Sequence, residues 1–255
     1  MRIPYLALSA LVAFGAGAAL AADKAKSYSV DDLVQKHIAA RGGADKLHAI
    51  KSIRIEGVTV NSGQGFELAT VMVARRPDAV RTELTLQGLT IVRAYDGKEG
   101  WAINPFRGRK DPEKLSQDLA KEMAYQADFD GPLVDYKAKG NKVEYLGTED
   151  VDGTPAHKLQ VTRANGDVDT IWLDPDYFLQ IRVLERHKIR GTEVEQESDF
   201  GDYEQVDGVY FPFSIESGDK GSSEKGQKFT VSKVETNVAT DDAQFRFPAA
   251  AAPAK

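Results

Sequence analysis

Two spacings of apolar residues divide the chain: a recurrence every three to four positions, which predicts helix, and strict alternation, which predicts a half-buried strand. Leu33, Val34, His37 and Ile38 form one helical stripe. Ser29 opens it as a cap, Asp31 and Asp32 sit in the first turn where the helix dipole favours acids, and Gly42-Gly43 ends it. A second stripe, Leu115, Leu119 and Met123 beside Ala120, Ala124 and Ala127, follows the opening Asp111-Pro112-Glu113 and stops at Asp130-Gly131-Pro132. Nearly everything else reads as strand and turn.

Asp96-Gly97, Asp152-Gly153, Asn165-Gly166 and Asp207-Gly208 each separate runs rich in Val, Ile, Tyr, Phe and Thr. Such short spacing leaves no room for crossover helices, so the strands pair as antiparallel neighbours. Val80, Thr82, Leu84 and Leu86 alternate with Arg81, Glu83, Thr85 and Gln87, giving one buried face and one wet face. The expected fold class is mainly β with covering helices, a curved antiparallel meander whose apolar side the helices close.

Glu193, Glu195, Glu197 and Asp199 share one strand face, a spacing that could suggest a cation site. A two-residue turn at Arg190-Gly191, however, sets Lys188 against Glu193, Arg186 against Glu195 and Arg182 against Asp199. Opposite charges across a ladder are ordinary sheet stabilisation on a solvated face, and one register explains both alternations.

The chain's start changes the expected compartment. Arg2 precedes an uncharged run at 3–22, rich in Ala, Leu and Gly, that ends Ala19-Leu20-Ala21 before Asp23-Lys24. That pattern is a secretory leader with a small-residue cleavage site. The expected organisation is a signal peptide at 1–21, a flexible segment at 22–29, one domain at 30–248 and an Ala/Pro tail at 249–255. The absence of cysteine leaves neither a lipobox for a covalent lipid nor a disulfide framework, so a freely diffusing mature protein is expected. With 33 basic and 39 acidic side chains the net charge is −6, and loss of Arg2 makes it one unit more negative. Nucleic acid is therefore not an expected partner.

Catalytic constellations are not evident. The four histidines, His37, His48, His157 and His187, are scattered without zinc-site spacing, and His37 belongs to a packing stripe. The sequence has no Gly-x-Ser-x-Gly elbow, phosphate loop or dinucleotide fingerprint, and Ser222-x-x-Lys225 falls in a polar loop. An enzyme, a cofactor and a metal centre are accordingly not expected.

One set of motifs is more specific. Val73-Ala74-Arg75-Arg76-Pro77 is followed by Asp96-Gly97-Lys98, Trp101 and Asn104-Pro105-Phe106, and the chain closes on Phe245-Arg246-Phe247-Pro248. In spacing and residue type this resembles the periplasmic outer-membrane lipoprotein carrier (LolA-like) family over about 30–248. The resemblance implies an unclosed antiparallel half-barrel whose concave apolar side is lidded by helices, leaving a cavity for acyl chains. It implies a soluble periplasmic monomer with lipoprotein acyl chains or another lipid as cargo. An inner-membrane release complex and an outer-membrane acceptor are the implied partners.

Arg76 falls on the family's functional arginine, whose planar multi-donor head would bond lid backbone or ligand carbonyls. Val80 matches a cavity-lining position, and Leu84 and Leu86 continue its strand face. Trp101 and Phe106 would wall the pocket, with Leu115, Leu119 and Met123 as the lid's inner stripe. The charged Arg107-Gly108-Arg109-Lys110 and a longer helix depart from the family pattern, which leaves a glycolipid or polycyclic lipid open as cargo. A lipid- or protein-sensing module on the same fold, or an enzyme adapted from it, are the other classes; an enzyme would need clustered polar groups inside a cavity expected to be mainly apolar.

Overall fold

The computed structural model describes residues 28–248 apart from 64, 109, 190 and 223–224. The expected leader and tail, and most of the segment at 22–29, lie outside the described residues. Two helices come first, α1 (Val30–Ala40) and α2 (Ala44–Ala49). Six strands follow: β1 (Ser52–Asn61), β2 (Glu67–Arg75), β3 (Ala79–Leu86), β4 (Leu89–Asp96), β5 (Gly100–Ile103) and the short β6 (Glu113–Lys114). After α3 (Gln117–Ala127) come β7 (Lys142–Val151), β8 (Thr154–Thr162), β9 (Val168–Leu173), β10 (Gln180–Ile189), β11 (Thr192–Val206), β12 (Val209–Asp219) and β13 (Gln227–Thr236).

All of these strands belong to one sheet in the order β6-β5-β4-β3-β2-β1-β13-β12-β11-β10-β9-β8-β7, and each neighbouring pair is antiparallel. The sheet is thus two meanders joined along a seam where β1 pairs with β13, Ile53 opposite Thr236. Its edges, β6 and β7, do not meet, so the sheet stays open. At the seam the register slips between Glu56 and Gly57, and a Cβ on Gly57 would stand 2.2 Å from the carbonyl oxygen of Thr230. Only glycine lets the two strands come this close.

The curvature is legible in the core. A single cluster takes Ile53, Ala74 and Val80 from one wing, Leu159, Ile171 and Val209 from the other, and Leu33 and Met123 from the helices. Side chains from strands so far apart in the sheet meet only if the sheet curls round one face. Smaller clusters lie on the opposite, convex face, among them Trp101 with Val92 and Ala94, and Phe245 with Val73 and Ala79.

α1 forms as the patterning anticipates. Ser29 and Asp32 make a reciprocal capping box, and Leu33, Val34, His37 and Ile38 are the buried stripe. The short α2 was not anticipated, because six residues carry too little periodicity to register. The second expected helix begins later than Asp111. Glu113 and Lys114 pair with Ala102 and Trp101 as an edge strand, Leu115 N–H donates to Gly100 O at 2.8 Å, and Ser116 is the true cap of α3. A sheet edge in need of partners overrides the Asp-Pro-Glu helix signal. The helix also ends at Ala127, ahead of Asp130-Gly131-Pro132.

The charged hairpin has the expected register: Lys188 faces Glu193, Arg186 faces Glu195 and Arg182 faces Asp199, although Arg190 of its turn lies outside the described residues. Its face is less wet than the alternation suggests. Arg182 is mostly buried and reaches both Asp199 and Asp152, while Lys225 contacts Glu197 at 2.5 Å.

Candidate ligand-binding site

The chain between the two sheet edges, residues 115–141, crosses the concave face and is the roof of the site. α3 presents Met123 and Ala127 to the core. The segment after it is fastened at both sides of the trough by polar contacts rather than by packing alone.

On the β2 side, Arg76 is the fastener. Its Nη1 lies 2.6 Å from Asp130 Oδ2 and its Nη2 donates to Asp130 Oδ1 at 2.9 Å. Its Nε and Nη2 also donate to the Ile50 and Leu47 carbonyls at 2.7 and 3.1 Å, capping the end of α2. The guanidinium rests over the Phe129 ring, 4.7 Å from its centroid. One planar cation therefore ties α2, the roof and the β2 end together, which a point charge could not do. Arg41, after α1, adds a bond to the Asp130 carbonyl, and its own pKa is lowered by burial.

On the far side, Arg163 at the end of β8 lies 4.2 Å over the ring of Tyr125 of α3, whose hydroxyl accepts from Asn165 Nδ2 at 2.7 Å. Lys121 pairs with Asp167 at 2.6 Å. Lys139 pairs with Asp128 at 2.6 Å, and Tyr136 and Lys137 bond Asp31 of α1. Burial pushes the Asp128 carboxyl up, with Lys139 opposing it.

Beneath this roof lies a cavity of about 340 Å³. Its floor is hydrocarbon from the middle of the sheet: Ile53, Ile55, Met72, Val183, Phe200 and Ile215, with Phe129 above. One end is polar, formed by Arg163, Asp169, Glu185 and Gln126. Arg163 Nε donates to Asp169 Oδ2 at 2.7 Å, both side chains being buried. Burial raises the pKa of Asp169 and of Glu185, Arg163 opposes both shifts, and the Asp169 carboxyl adds to the rise of Glu185. The cavity lining is thus mainly apolar, as the sequence led one to expect, with this charged group set into it. A wider groove of about 670 Å³ opens where α3 begins, against Ile91, Arg93 and Ala102.

The nine sequence-derived positions fall in different places. Arg76 is at the roof contact, beside the cavity. Val80, fully buried, is core packing and does not line the 340 Å³ space. Leu84 and Leu86 continue the concave face of β3 but stand outside that cavity, partly buried. Leu115 and Leu119 line the wider groove, Leu119 being 38% exposed, whereas Met123 is buried beneath α3.

Trp101 corrects the expectation of a pocket wall. It sits opposite Ala94 on the convex face, 2% exposed, with Nε1 donating to Phe245 O at 2.7 Å and the Arg81 guanidinium over its ring. Phe106 lies in a short 3-10 turn capped by Asn104 and is 47% exposed. Strand parity explains the misplacement of Trp101: Ala102 and Gly100 face the concave side of β5, so Trp101 between them cannot.

Sequence reasoning missed Phe129 and Asp130, and the Arg163, Asp169 and Glu185 group. One signal for the last was present. Asp169 interrupts Val168-Asp169-Thr170-Ile171-Trp172-Leu173, an otherwise buried strand, and a charge there calls for a partner.

An open antiparallel sheet whose two edges are bridged by a helical roof over a cavity defines a LolA-like half-barrel, and this chain has that fold. No protein-family model matches the sequence, and neither does any curated protein. Solved structures match it at low identity. The LolA superfamily protein NE2245 from Nitrosomonas europaea aligns with a TM-score of 0.58 at 14% identity, over 86% of this chain and 98% of that one. A DUF1329 family protein from Desulfovibrio piger ATCC 29098 gives 0.56 at 14% identity, over 85% and 97%. A domain from Vibrio parahaemolyticus assigned to outer membrane lipoprotein sorting gives 0.55 at 14%, over 85% and 97%.

Proposed function

We propose that this protein is a soluble periplasmic carrier that takes acyl chains of lipoproteins, or another amphiphilic lipid, into the roofed cavity and shuttles them towards the outer membrane. The observation that carries this reading is the 340 Å³ hydrocarbon-floored cavity under a roof held at both sides by polar contacts. Each methylene brought out of water is worth about 0.8 kcal/mol, so an acyl chain that must cross an aqueous space needs such a cavity. Polar fasteners at the roof suit reversible loading, because water can replace them when the roof lifts. The outer-membrane lipoprotein-sorting assignment of the Vibrio domain supports the same direction of transport. Export after removal of the leader at 1–21, and delivery between an inner-membrane release complex and an outer-membrane acceptor, belong to this proposal.

The test is a titration with fluorescent acyl probes of increasing chain length, together with mass spectrometry of lipid co-purified with the exported protein. Affinity should rise with chain length, and Ile215→Trp, which fills the cavity from its floor, should abolish it while the fold remains. Chain-length-independent binding, or unchanged binding by Ile215→Trp, would overturn the carrier reading.

A further inference from the structure

Asp169 on β9 and Glu185 on β10 are partners in the antiparallel ladder, so their side chains leave the sheet side by side on the roofed face. Carboxylates directly opposite one another repel, and a buried rung of this kind is kept only where something offsets it. Arg163 offsets Asp169. Among the described residues no hydrogen bond reaches the Glu185 carboxylate, whose pKa is raised first by burial and then by Asp169.

Glu185 also stands between two hollows. It lines the 340 Å³ cavity and, with Tyr125 and Gln126 of the roof, a second one of about 270 Å³. His187 lines this second hollow. Its side chain is 10% exposed, its Nε2 is 3.8 Å from Glu122 Oε1, and its buried Nδ1 has no partner among the described residues. A carboxylate without a donor thus lines both spaces, and in the second it stands beside an imidazole whose buried Nδ1 is unsatisfied. Buried polar groups are normally satisfied, and those that are not mark a place where a ligand completes the network.

We propose that this end of the cavity is a headgroup subsite that takes a hydroxyl or amine of the bound amphiphile, the ligand donating to Glu185, and that it rejects free carboxylates. The proposal rests on the carrier reading above and names the class of cargo that reading leaves open. Two carboxyls and one guanidinium give the rung a negative balance, so a third carboxylate meets like charge in a poorly solvated space, whereas a hydroxyl or ammonium meets an acceptor.

The experiment is displacement of a fluorescent acyl probe at neutral pH by hexadecanol, hexadecylamine and hexadecanoate, which share one chain and differ in the head. The alcohol and amine should displace the probe from the wild-type protein at concentrations at least ~tenfold below the acid, a gap of one decade in Kd. Glu185→Gln, isosteric and checked for native fold by circular dichroism, should erase the preference for the amine and improve the acid. His187→Leu serves as a second variant and should weaken the alcohol. Equal displacement by the three heads, or an unchanged ranking in Glu185→Gln, overturns the headgroup subsite while leaving the carrier reading in place. Absence of acyl binding altogether overturns both.

Discussion

Arg76 and Asp130 are locked together by two contacts, at 2.6 and 2.9 Å, although they lie on a strand end and on the roof respectively. The Asp130 side chain is only 2% exposed, and Arg76 is the cation that pairs with it there, with Arg41 bonded to its backbone carbonyl. Arg76→Leu removes the main partner and should destabilise the protein by about 2–4 kcal/mol, because a buried carboxylate is left without its cation. Arg76→Leu combined with Asp130→Asn should recover part of that loss. Urea unfolding of both variants measures it, and a loss under ~0.5 kcal/mol for Arg76→Leu would mean that the pair does not hold the roof.

His37 provides a pH signature. Burial, and then the neighbouring Arg41 charge, lower its pKa from 6.5 to about 4, against the bond between Nδ1 and Phe178 O. The folded state therefore resists a proton that the unfolded chain accepts. Above the ordinary value both states are neutral and nothing is lost; as pH falls from about 6.5 towards 4, stability declines by on the order of 3 kcal/mol. His37→Gln keeps a donor for Phe178 O and should flatten this decline between pH 7 and 5 in denaturant titrations. An equal slope in wild type and variant would assign the acid sensitivity elsewhere.

At the seam, Gly57→Ala places a methyl group 2.2 Å from Thr230 O, which is backbone and cannot swing aside. A loss above ~2 kcal/mol is expected, in the range of mutations that force backbone strain. Gly201→Ala is the control: no atom lies within 4 Å of its added Cβ, and its thermal midpoint should stay close to wild type. Equal midpoints for both variants would contradict the close approach of β1 and β13.

Trp101→Phe removes the bond to Phe245 O and keeps most of the packing. The change should cost about 1–2 kcal/mol, the toll of an unsatisfied buried carbonyl, and should speed proteolysis near residue 245. Acyl-probe affinity should be unaffected, since the ring is on the convex face. A parallel loss of probe binding would place Trp101 in the cavity wall after all.

Much of the fold can be read from local signals because those signals are themselves local. Ser29 with Asp32 caps α1 whatever the rest of the chain does, and Asp152-Gly153 and Asp207-Gly208 adopt the positive φ angles that a tight hairpin turn demands. The pairing of Ile189 with Thr192 carries the charge register of β10 and β11 just as locally. The site is less legible because it is made by distant segments. Asp130 sits in a Gly-Pro stretch that reads only as a helix stop, and nothing near it in sequence announces Arg76. Asp169 and Glu185 become a rung only once β9 and β10 are paired. Trp101 misled for a different reason: a motif shared with a family carries residue type and spacing, but the side of the sheet is set by parity along β5, and the closing Phe245 covers the convex side.

The pairing of β1 with β13 has a consequence for how the molecule comes into being. The innermost neighbours of the sheet are the first and last strands among the described residues, so neither meander can be stitched to the other until nearly all of it is available. Loop closure over that span carries the entropic penalty that makes non-local β topologies slow to form. Until β13 arrives, β1 offers a bare hydrogen-bonding edge to any extended segment that finds it first. A nascent or truncated form ending before residue 227 should therefore be the species most prone to self-association and most in need of a chaperone, whereas completion of the last strand buries the hazard in the middle of the sheet.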